Sequence, residues 1–63
     1  MEVLKMFKMK AYKKDFLTSE IEFLQEVKSN SLEYFESRKN RKNHVIEIFQ
    51  KIKNKWVLIY SEL

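Results

Sequence analysis

The chain contains no cysteine, no glycine and no proline. Lack of cysteine rules out disulfides and thiolate metal sites, and fits a reducing compartment. A single histidine, His44, cannot by itself build a structural zinc site. Lack of glycine removes any glycine-rich phosphate loop, and with it the common nucleotide-binding enzymes. Turns that need a left-handed backbone must then fall on Asn, Asp or Lys. Long hydrophobic runs are missing as well. The longest, Trp56 to Tyr60, has five residues, against the ~20 needed to span a bilayer. Near the N-terminus, Lys5, Lys8 and Lys10 interrupt the apolar stretch a secretion signal requires. The expectation is a soluble cytoplasmic protein that does not engage membranes.

What is present describes one small domain, residues 1–63. A chain of this size buries only about 60% of its unfolded surface, so stability is marginal and a homodimer would help. Thirteen Lys and Arg against nine Asp and Glu give a net charge of +4. That excess suits an acidic partner or RNA, but it is also ordinary for a small protein rich in Lys, Asn and Ile.

The stretch 31–54 organises the expected fold. Asn30-Ser31-Leu32-Glu33 reads as a capping box, and Leu32, Phe35, Val45, Phe49 and Ile52 recur near helical spacing. A helix of 24 residues would run about 36 Å. Arg38, Lys39, Arg41 and Lys42 interrupt its stripe, so the helix is expected to be long or kinked near Asn40.

Residues 1–12 alternate, with Val3, Phe7, Met9 and Ala11 on one face and Leu4, Met6, Lys8, Lys10 and Tyr12 on the other. Period two predicts a strand, followed by a turn at Lys13-Lys14-Asp15. Residues 16–25 fit a strand or a helix that begins at Ser19. The strand is favoured because the first strand otherwise lacks a sequential partner. Residues 26–30 read as a polar connector, and Trp56 to Tyr60 as a buried last strand. The predicted class is α+β, in the order β-β-α-β. Its small three-stranded, mainly antiparallel sheet would carry the helix on one face. A single roof leaves the second face apolar and exposed, which points to a binding surface.

Catalytic chemistry is hard to build from these residues. His44 can be paired with Glu47 or Glu33, but such spacing is common on helices and a general base needs a cleft. No enzyme, cofactor or metal is expected. The run from Arg38 to Lys42 offers phosphate contacts, yet on a helix it forms a collar rather than a stripe. Tyr34 and Trp56 are the aromatic side chains best suited to anchor a partner.

A further pattern begins at Met1-Glu2-Val3-Leu4-Lys5 and continues through Met9, Lys13 and Asp15. It is clearest at Leu17-Thr18-Ser19-Glu20-Ile21, leading to Phe23-Leu24 and Glu26. Asn43, Val45, Ile46 and Phe49, then Lys53-Asn54-Lys55, complete it in the second half. In these residues the chain resembles the Dmd family of phage antitoxins. The resemblance implies a protein of the host cytoplasm that acts only by binding. It would occlude the RNA-cleaving cleft of a host endoribonuclease toxin of the RnlA or LsoA type, protecting phage mRNA without contacting nucleic acid. A helix Asn of the family corresponds to Asn43. The family's Trp near the helix start has no counterpart, leaving Leu32 or Tyr34 as the nearest large side chains. Leu32, Tyr34, Asn43 and Trp56 are therefore the expected toxin-binding residues.

Overall fold

A computed structural model describes residues 5–63; Val3 and Leu4, assigned above to the first strand, lie outside the described residues. Four strands form one antiparallel sheet: β1 (Phe7–Lys14), β2 (Ile21–Ser29), β3 (His44–Ile52) and β4 (Lys55–Ser61). Their spatial order is β2-β1-β3-β4. A single helical turn, α1 (Glu33–Glu36), sits in the connection between β2 and β3. The expected β-β-α-β arrangement with a long helix is therefore incorrect; the chain is mostly sheet.

The error lies in residues 44–52. Val45, Phe49 and Ile52 match a helical stripe, but that selection skips Ile46 and Ile48, which the structure buries almost completely. Ile46 and Ile48, two apart, share the core face, and with Val45 and Ile52 they make the stretch rich in β-branched residues, whose stiff χ1 favours a pleated strand. Upstream, Asn40 and Asn43 take φ of 59° and 63°, a left-handed backbone that stops a right-handed helix. The capping box does not form either. The helical turn starts at Leu32, with no side-chain cap.

β1 holds the centre and explains the topology. β2 and β3 both run antiparallel to it, so they are parallel to each other with β1 between them. The connection between them, residues 30–43, must cross one face of the sheet, and it lays Leu32 and Phe35 on that face. Phe35 is fully buried there among Phe7, Met9, Ala11, Ile46 and Ile48, with Val27, Leu32 and Tyr60 packed around them. The alternation expected for β1 is realised in Phe7, Met9 and Ala11. β2 is a strand, as favoured, but it starts five residues later than the first position considered. Residues 16–20 form a loop, and all of the expected connector 26–30 except Asn30 belongs to the strand.

Glycine's absence is met as anticipated at the turns. Lys53 and Asn54, with φ of 50° and 65°, connect β3 to β4 as a two-residue turn. Two left-handed residues are what the type I′ hairpin turn demands. The last strand forms as predicted, with one extra residue at each end, but it is not buried: Val57, Leu58 and Ile59 are exposed on this edge of the sheet. Glu62, just beyond it, ties three elements together. Its carboxylate accepts from Asn40 N (2.7 Å), Ile46 N (3.1 Å) and the Tyr60 hydroxyl (2.8 Å).

Candidate binding surfaces

Strand parity sorts the side chains onto two faces. The face opposite the crossover carries Lys8, Lys10, Tyr12 and Lys14 from β1, and Glu26, Lys28 and Phe23 from β2. Glu47, Phe49 and Lys51 come from β3, and Trp56 and Leu58 from β4. Among the described residues no element crosses it. His44 and Glu47, three apart in a strand, point to opposite faces of β3, so that acid–base pair is not made. Among the described residues no cluster of three or more His, Asp or Glu is arranged to hold a metal.

On the open face the rings and cations interleave. Lys8 Nζ lies 4.5 Å from the Trp56 ring centroid and 5.3 Å from that of Phe49. Lys10 Nζ is 5.4 Å from Phe49, and Lys51 Nζ is 5.9 Å from Trp56. Glu26 pairs with Lys8 at 3.9 Å, and Glu26 and Glu47 lie on either side of Lys10 in the strand register. Further along, the Tyr12 hydroxyl donates to Glu47 Oε1 at 2.6 Å. That bond, then burial and the nearby carboxylates, push the Tyr12 pKa up to about 12. The bond to Glu62 likewise raises Tyr60, on the roofed face.

A second surface is the loop that joins β1 to β2. Asp15 winds it on itself. Its carboxylate accepts from Leu17 N at 2.9 Å and its carbonyl accepts from Ser19 N at 2.7 Å, while its own N–H donates to Glu20 O at 2.9 Å. Ser19 supplies the left-handed residue, φ 63°. These local bonds are an Asx-type turn, and they fix the loop without help from a packed core. Phe16 and Leu17 are turned outward, 62% and 97% exposed. Ile21, Phe23 and Leu24 continue the exposed apolar surface into the edge strand β2.

Charge distinguishes this arm from the rest of the chain. Residues 15–26 carry Asp15, Glu20, Glu22 and Glu26 and not one Lys, Arg or His. The net +4 of the whole chain hides this acidic segment. A windowed charge count along the sequence would have revealed it.

The four expected toxin-binding residues do not form one patch. Asn43 stands beside the acidic loop, where its carbonyl accepts from Lys14 N at 3.0 Å, and it lines a surface hollow with Asp15, Phe16 and Leu17. Leu32 is half-buried and packs on the core. Tyr34 is exposed on the crossover, edge-on to Phe35 at 5.4 Å. Trp56 is half-buried on the open face beneath Lys8. The Arg38–Lys42 run belongs to the crossover, not to a helix. Arg38 and Arg41 rim a cleft of about 260 Å³ floored by Met9, Ala11 and Ile46.

The chain matches no protein-family model, no curated protein and no solved structure.

Proposed function

We propose that this protein inhibits an endoribonuclease toxin of the RnlA or LsoA type by docking residues 15–26 into the toxin's RNA-cleaving cleft. The observation that carries the reading is the exposed, self-braced loop with Leu17 at 97% exposure, set in a segment of four acids and no base. A cleft that cleaves RNA is lined with cations that meet phosphates. An acidic arm answers that charge, and steers association in a salt-dependent way. The stretch where the resemblance to the Dmd antitoxins is clearest, Leu17 to Ile21, lies at this tip.

Magnitudes decide how the two kinds of contact share the work. Burying Phe16, Leu17, Ile21 and Phe23 contributes at most about 1.5–3 kcal/mol each. Association loses about 4–15 kcal/mol of rigid-body freedom. Apolar burial alone therefore roughly offsets that loss, and the carboxylates supply the surplus and the choice of partner. Asn43, beside the loop, is placed to add an amide contact; Leu32, Tyr34 and Trp56 then lie outside the primary contact.

RNA cleavage by a purified toxin, titrated with this protein, tests the reading. Inhibition should saturate near equal amounts of the two proteins. Leu17→Ser should relieve it while leaving the circular dichroism of the inhibitor unchanged. Undiminished cleavage at excess protein, or a Leu17→Ser variant as effective as the parent, contradicts the proposal.

A further inference from the structure

On the open sheet face three ammonium groups, those of Lys8, Lys10 and Lys51, gather over two neighbouring rings, Phe49 and Trp56. Lys28 lies directly across from Lys8 in the pairing of β1 with β2. Like charges opposite one another weaken a sheet, so the Lys8–Lys28 pair does not serve folding, whereas Lys10 lies across from Glu26 and Glu47. Among the described residues only Lys8 of this group has an acid within ion-pair distance, and its side chain is just 12% exposed. The ammonium groups of Lys10, Lys28 and Lys51 are left for an outside anion.

We infer that this face binds single-stranded nucleic acid, with bases stacking at Trp56 and Phe49 and phosphates meeting Lys10, Lys28 and Lys51. A flat, uncovered sheet carrying aromatic rings among cations has the two parts such binding uses: a platform for any base and charge along the backbone. Duplex binding is not served, because no element of the described fold projects as a helix or ribbon that would enter a groove. A base stacking on Trp56 takes the place now held by the Lys8 ammonium. The displaced cation keeps Glu26 as its ion-pair partner. The inference uses residues apart from the acidic loop and does not rest on the inhibitor reading.

Trp56 is the sole tryptophan and reports directly on stacking. Titration of the full chain with oligothymidylate in low salt should quench its fluorescence. With three phosphate contacts, the logarithm of the affinity should fall with the logarithm of salt at a slope of about −2, since each contact on a single strand contributes about −0.7. Lys51→Gln, an exposed and structurally mild change, should make that slope shallower by about 0.7. Phe49→Leu should weaken binding about tenfold or more. Leu17→Ser should leave both quantities unchanged. No quenching in low salt overturns the inference. So does equal binding of polyglutamate, which would mark an acidic protein as the ligand. A Phe49→Leu variant that binds as tightly as the parent overturns it as well.

Discussion

The two hairpins of this sheet share a centre and carry opposite characters. The outer arm of the β1–β2 hairpin, residues 15–26, is acidic, without a base, and largely exposed. The β3–β4 hairpin carries Lys51, Lys53 and Lys55 and no acid from residue 48 to residue 61. One is closed by a six-residue loop that presents Phe16 and Leu17 to solvent. The other is closed by the minimal two-residue turn, and its exposed apolar side chains, Ile52, Val57, Leu58 and Ile59, stand on the strands rather than in a loop. A modest net charge thus conceals an acid-only stretch, residues 15–26, and a base-only stretch, residues 48–61, on either side of the four lysines of the central β1. Charge placed this way favours two different partners, not one diffuse attraction.

The largest test of the comparison removes what holds the hairpins together. Phe35→Ala takes the central side chain out of the crossover and should destabilise by about 3–5 kcal/mol. A domain of this length has about 3–9 kcal/mol in all. Denaturant titration should find the variant largely unfolded, with both hairpins lost in one transition. Survival of the β3–β4 hairpin alone, seen as protected amides in hydrogen exchange, would show that the hairpins fold independently.

Glu62→Gln is the next largest. It keeps the shape but replaces a carboxylate that accepts three hydrogen bonds with a neutral amide. Hydrogen bonds to charged groups contribute about 1.5–3 kcal/mol each, and a neutral acceptor keeps part of that. Thermal unfolding should report a loss of about 1–2 kcal/mol. An unchanged midpoint would mean the crossover is not anchored through Glu62.

Alkaline titration separates the hairpins by pH. The folded protein holds the Tyr12 proton more tightly than an unfolded chain does. Its contribution to stability is complete below the ordinary value of 10 and disappears as pH rises to about 12. Tyr12→Phe should remove that part of the alkaline decline, read as unfolding midpoint against pH. The same decline in the variant would assign it to other groups.

The smallest effect concerns the tight turn. Lys53→Gly relieves a left-handed lysine and should stabilise by about 0.5–1 kcal/mol. A loss of stability would show that the Lys53 side chain makes a contribution that its backbone strain conceals.

Much of the sheet was legible from the chain. β1 declares its core face through Phe7, Met9 and Ala11, and β4 through its short apolar run. Asn, with Lys, does stand at four of the five left-handed positions, Asn40, Asn43, Lys53 and Asn54; Ser19 is the fifth. Residues 44–52 misled because their apolar positions, Val45, Ile46, Ile48, Phe49 and Ile52, fit a 3.6-residue period, and only their β-branched content favours the strand. No local signal shows that the crossover, not a helix, supplies the roof; Phe35 is chosen by topology. The candidate site was less legible. Asn43 could be tied to the β1–β2 loop only after β3 was placed beside β1, and the lysine–ring cluster needs β1, β3 and β4 in register.

Backbone hydrogen exchange of this protein alone and in complex with an RnlA- or LsoA-type toxin tests the central claim most directly. Slowed exchange should concentrate at residues 16–24, with the β3–β4 hairpin little changed. A complex that protects residues 55–61 and leaves the acidic loop exchanging as in the free protein would contradict it.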